Sequence, residues 1–129
     1  MAEKILNLKL LKGKYGVCRL QKNDSIPSWA FDGEFYSITK TEDEVSIVCL
    51  ENNITEETKS EKDWKVLKIE GPLDFSLVGI LSKISSILAE NNISIFAIST
   101  YDTDYILVKG KDIDKSIEVL INENYHVIR

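Results

Sequence analysis

From Trp64 to Glu70, apolar and polar residues alternate loosely, the period of a β-strand. Gly71-Pro72 ends the run. Asp74 then stands where a helix N-cap belongs, with Leu73 and Val78 spaced as a hydrophobic staple. Leu77, Ile80, Leu81, Ile84, Ile87 and Leu88 fall on one helical face, and Asn91-Asn92 marks the stop. Ile93 to Ser99 reads as a strand, Tyr101-Asp102-Thr103 as a short turn, and Tyr105 to Val108 as a nearly continuous apolar strand. Ile113, Ile117, Leu120 and Ile121 predict a second amphipathic helix ending near Asn124, and Tyr125 to Ile128 a last strand. The order is βαββαβ, which predicts an α+β, ferredoxin-like arrangement with two helices on one face of a four-stranded antiparallel sheet.

The first half is less regular. Leu6, Leu8 and Leu10 alternate with polar residues, and Tyr15 to Leu20 forms a second strand pattern. Asp24 to Asp32 suits a loop or short helix, while Phe35 to Lys40 and Val45 to Leu50 form a hairpin pattern. Glu51 to Asp63 carries seven acidic or basic residues and reads as a linker or a short surface helix beginning at Thr55-Glu56-Glu57. A weak repeat joins the halves: a shift of 60 places Ile38–Val48 over Ile98–Val108 and Glu44 over Asp104. The expected division is 1–62 and 63–129, two related modules of which the first has degenerate helices.

Composition narrows the function. The 129 residues carry a net charge of −5, and only Arg19 and Arg129 among 16 basic residues are arginine. A phosphate backbone repels such a surface, which disfavours nucleic acid. No apolar run approaches the roughly 18 residues of a membrane span, and the N-terminus lacks a signal-peptide pattern, so no membrane partner and a cytoplasmic location are expected. Cys18 and Cys49 are too few for a disulfide framework, a zinc site or an iron–sulfur cluster, and read as small buried hydrophobes. His126 is the single histidine, and no nucleophile–base arrangement is legible around it. The expectation is a protein that is not an enzyme and has no cofactor.

Two long runs carry a resemblance: Gly71 to Leu81, and Ile95-Phe96-Ala97-Ile98-Ser99-Thr100-Tyr101-Asp102-Thr103-Asp104-Tyr105-Ile106-Leu107-Val108. With Ser37 to Val48 in the first half, they resemble the tandem ACT proteins that include the CASTOR arginine sensors and small stand-alone bacterial members. In the common ACT loop an Asp stands three residues before a Gly. Here Asp74 and Gly79 are five apart. The resemblance implies two tandem ACT modules, no catalysis, and an amino-acid-like ligand at the interface between modules.

The residue chemistry suits that expectation. A carboxylate wants clustered N–H donors, which the backbone of Phe75, Ser76 and Leu77 beyond the Asp74 cap would offer. An ammonium wants an acid, and Asp104 and Glu44 stand at the two hairpins. Ser99, Thr100, Thr39 and Thr41 can orient a small polar ligand, and Phe75 and Ile98 can wall it. The competing expectation is an interaction module without ligand. Either reading expects a homodimer.

Overall fold

The computed structural model describes residues 6–71 and 79–129. Two compact units emerge: residues 13–64, and residues 1–12 together with 65–129. The break falls at residue 64/65, where the sequence expectation was 62/63. The N-terminal strand, however, sits in the second unit, because it pairs with strands from the far end of the chain.

The second unit contains β1 (Asn7–Leu10), the end of β5 (Lys59–Ile69), α1 (Ile80–Glu90), β6 (Ile95–Ser99), β7 (Asp104–Lys109), α2 (Ile113–Asn122) and β8 (His126–Ile128). β7 pairs with both β5 and β6, and is central as its apolar run implies. β1 inserts between β5 and β8, antiparallel to the first (Leu8 opposite Ile69) and parallel to the second (Leu8 opposite Val127). The sheet order is therefore β6-β7-β5-β1-β8, a ferredoxin-like sheet widened by one strand. This corrects the expected four-stranded, wholly antiparallel sheet. Leu8, Leu67, Ile69, Ile106 and Val108 on the strands form one buried core with Ile84, Ile87 and Leu88 of α1 and Ile117 and Leu120 of α2. Alternate strand residues supply one face of the sheet and residues three or four apart supply each helix stripe.

Both helices end alike. Asn92 (φ 62°) and Asn124 (φ 72°) take the left-handed conformation just past the last turn. The amides of Ile93 and Tyr125 reach back to the carbonyls of Leu88 and Leu120, each at 3.0 Å. Asparagine tolerates this conformation better than most residues, so the predicted Asn-Asn stop is a Schellman ending. The start of α1 differs from the expectation of a helix capped by Asp74. The helix opens at Ile80, after Gly79 at φ 78°, whose carbonyl accepts the amide of Lys83 at 2.8 Å. A left-handed residue cannot continue a right-handed helix backwards, so the cap falls at Gly79.

The first unit runs β2 (Tyr15–Leu20), β3 (Ser37–Lys40), β4 (Val45–Leu50) and the start of β5. Single 3-10 turns at Ser28–Phe31 and Glu51–Asn53 stand where a ferredoxin-like unit has helices. The order β3-β4-β2-β5 is the ferredoxin-like order with both helices reduced to one turn, as the degenerate reading expects. Cys18, Ala30, Val45, Ile47, Cys49 and Ile54 fill its core. No helix forms at Thr55–Glu57. The segment turns at Thr55–Thr58 and enters β5 at Lys59. β5 bulges opposite Gly16, with Asp63 at φ 68° held by the Glu51 carboxylate, which accepts its amide at 3.0 Å.

Candidate functional site

Seven of the predicted ligand residues fall at the ends of two hairpins. In the second unit the β6–β7 turn carries Ile98, Ser99, Thr100 and Asp104. Ser99 closes β6 directly opposite Asp104, which opens β7. The Ser99 hydroxyl donates to Asp104 Oδ1. Thr100 fixes the turn: its amide donates to the Thr103 carbonyl at 2.8 Å, and its Oγ1 accepts the amide of Thr103 at 3.3 Å. Ser99, Thr100 and Asp102 are exposed, and Ile98 and Asp104 are half-buried. A hydroxyl and a carboxylate therefore stand side by side at the surface, and the turn behind them is rigid. That pair can accept hydrogen bonds from an ammonium or guanidinium group.

Thr103 was not singled out by its sequence. It is 5% exposed, and its hydroxyl donates to the carbonyl of Ile69 at 2.6 Å. That bond ties the hairpin to the end of β5. A threonine at each end of the four-residue turn was the available signal, because a threonine hydroxyl at the first position commonly holds a turn.

In the first unit the β3–β4 turn carries Thr39, Thr41 and Glu44. Thr41 Oγ1 accepts the amides of Asp43 and Glu44, both at 3.1 Å, and its own amide donates to the Glu44 carbonyl at 2.9 Å. Thr41 thus does the work of Thr100. The two hairpins correspond at a shift of 59, not 60: Lys40 faces Val45 as Ser99 faces Asp104, and the burial of Ser46–Leu50 matches that of Tyr105–Lys109. The correspondence pairs Thr41 with Thr100, Asp43 with Asp102 and Ile47 with Ile106. Val45 occupies the place of Asp104, so the expected equivalence of Glu44 and Asp104 does not hold. A one-residue slip moves every side chain of a strand to the other face, which is why the difference matters.

Asp74, Phe75, Ser76 and Leu77, the segment expected to receive a carboxylate, lie outside the described residues. A shallow polar cleft of about 570 Å³ opens between Glu51 and Lys62 and includes none of the predicted residues. Among the described residues no three His, Cys, Asp or Glu side chains gather as a metal site, and no helix is long and apolar enough to cross a membrane. Cys18 and Cys49 are buried. A hydrogen bond from Cys49 favours the Cys18 thiolate and lowers its pKa, while the same bond and burial push the Cys49 thiol up.

The βαββαβ order of the second unit defines a ferredoxin-like α+β module, and similarity to known proteins narrows the class. The sequence profile of the ACT domain matches residues 59–122, and that of a companion N-terminal domain matches residues 13–57. The chain belongs to the ACT-domain family. It is 30% identical over 101 residues to the bovine (Bos taurus) cytosolic arginine sensor for mTORC1 subunit 1, a match covering 70% of this chain and 31% of that protein. The chain thus spans about a third of that relative's length. A crystal structure of an Agobacterium tumefaciens protein aligns with TM-score 0.91 and 39% identity over 98% of this chain and 94% of that one. Aspartate kinase from Clostridium acetobutylicum, described as an allosteric enzyme, aligns with TM-score 0.65 and 15% identity over 88% of this chain and 33% of that one. The last likeness bears on the fold alone.

Proposed function

We propose that this chain is a non-catalytic, cytoplasmic regulator that binds a free amino acid or a similar small molecule and acts as a homodimer. The observation that carries the reading is the ACT match over residues 59–122, joined to a relative named as an arginine sensor. In this reading Asp104, with Ser99 beside it, receives the ligand's ammonium or basic side chain. The backbone of Phe75, Ser76 and Leu77 receives its carboxylate, Asp74 orders that segment, and Ile98 walls the site. Thr100 holds the turn in place. In residues 13–64, read as a degenerate module, Thr41 holds the turn as Thr100 does, and Thr39 and Glu44 are assigned polar contacts to a ligand without an exact counterpart in the second unit. The homodimer draws support from β3 and β6, each of which ends its sheet with a single neighbour.

The test is thermal unfolding of the full chain with each common amino acid in turn. A ligand at about 100 times its dissociation constant adds roughly 2.7 kcal/mol, which raises the midpoint by several degrees. Asp104→Asn is expected to abolish the rise while leaving the unliganded midpoint within about a degree or two. A rise that survives in the variant would remove Asp104 from the site. A flat response to every amino acid would leave the ligand-free interaction module as the better reading, to be settled by the particle mass in solution.

A further inference from the structure

Residues 13–64 contain eleven acidic and six basic residues, so the whole net charge of −5 resides there. Within this acidic unit two cations nevertheless face each other. Arg19 on β2 is directly opposite Lys59 on β5. On the other side of Arg19 lies Ser46 of β4, and beyond Ser46 lies Thr39 of β3. The four side chains form one row across four strands, on the face opposite Cys18, Ile47 and Cys49, with Cβ atoms about 5 Å apart. Arg19, Lys59 and Thr39 are exposed and Ser46 is half-buried.

Like charges directly opposite each other cost stability in a sheet. Despite eleven acids in the unit, neither cation forms an ion pair among the described residues. Among the described residues the Arg19 side chain makes one polar contact: Nη2 donates to the backbone carbonyl of Asp43 at 3.1 Å. That bond orients the guanidinium without neutralising it. The nearest acid along β5, Glu61, stands one row away, opposite Val17. The row itself offers a planar fork of donors, an ammonium and two hydroxyls, and has no carboxylate.

We infer that the row Thr39–Ser46–Arg19–Lys59 is a binding site for the anionic group, carboxylate or phosphate, of a small metabolite. The guanidinium binds two oxygens at once, the ammonium adds charge, and the hydroxyls complete the oxygen shell. The site is separate from the Asp104 hairpin and shares only Thr39 with the amino-acid reading, so Arg19 and Lys59 test it independently of that reading. A second like-charged pair, Lys9 opposite Lys68, has Ile128 rather than a hydroxyl as the next neighbour and provides the contrast.

The experiment is an NMR titration of the full chain with inorganic phosphate and, separately, with succinate, at ionic strength matched with chloride. Saturable shifts confined to the amides of Thr39, Ser46, Arg19 and Lys59 are expected. Saturation by phosphate alone assigns a phosphate-bearing ligand, by succinate alone a carboxylate, and by both the shared anion. Arg19→Gln is expected to weaken binding at least tenfold. Lys59→Gln, which has no hydrogen bond to lose, should weaken it severalfold, and Lys9→Gln should leave it unchanged. The inference is overturned if neither anion saturates the row, if both row variants bind as wild type, or if Lys9→Gln weakens binding as much as they do.

Discussion

Gly16 lies in β2 opposite Cys49, beneath the bulge of β5. A Cβ added there would overlap the Cδ1 methyl of Ile54, with the Glu61 carbonyl and Lys62 Cγ at an ordinary 3.6 Å. Carbon atoms rest about 3.5–4.0 Å apart, so the methyl must retreat by more than about 1 Å. Ile54 is 5% exposed and part of the first unit's core, which leaves it little room to do so. Overpacking of this kind costs about 1–3 kcal/mol, and the gain from replacing glycine within a strand returns about 0.5–1. Gly16→Ala should therefore destabilise by about 1–2 kcal/mol. Ile54→Val deletes the clashing methyl and alone costs about 0.5–1.5 kcal/mol. In the double variant the alanine methyl occupies the space that Cδ1 leaves. Its cost should fall below the sum of the two singles by at least about 1 kcal/mol. Urea unfolding of all four proteins measures the cycle. Costs that add to within about 0.5 kcal/mol would refute the contact, and with it the tight closure of the 3-10 turn over β2.

Other outcomes follow from single groups. Thr103→Val keeps the shape but removes the hydroxyl that donates to the Ile69 carbonyl, and should cost about 1–3 kcal/mol in urea unfolding; an unchanged midpoint would remove the tether between hairpin and β5. Burial, assisted by the charge of Glu34, pushes the Tyr15 phenol up to about 12. The folded state thus favours the neutral phenol, a contribution that is complete below pH 10 and is lost as pH rises from 10 through 12. One of the five tyrosines should ionise late in a phenolate absorbance titration, and stability should fall by up to about 3 kcal/mol over that window, a fall that Tyr15→Phe abolishes.

Wherever one segment carried both its period and its stop signal, the sequence was readable. The α1 stop at Asn91-Asn92 and the central place of β7 are local facts: left-handed asparagine and an unbroken apolar run state them without reference to the rest of the chain. The cap at Gly79 was obscured because Asp74 and the staple spacing satisfy the same signals five residues earlier. The sequence favours an offset of 60 over the structural 59 because acidic residues cluster at both turns, and their charge aligns better than the threonine hydroxyls that set the turns. The insertion of β1 was illegible for another reason. Its partners lie some sixty and some hundred and twenty positions away, and no local pattern names a distant neighbour. At the candidate site the sequence supplied the exposed residues of the β6–β7 turn, while the buried Thr103 anchor beneath them emerged only from the fold.

That inserted strand also orders events in time. Among the described residues β8 finds a hydrogen-bonding neighbour only in β1, and the bond between His126 and Asn7 joins residues 119 positions apart. On a ribosome β1 emerges more than a hundred residues before β8 and waits for it before the two can dock. Loop closure over such a separation is slow relative to hairpin formation. The β6–β7 hairpin can therefore form well before the sheet beside it is complete, and the docking of β8 on β1 follows it.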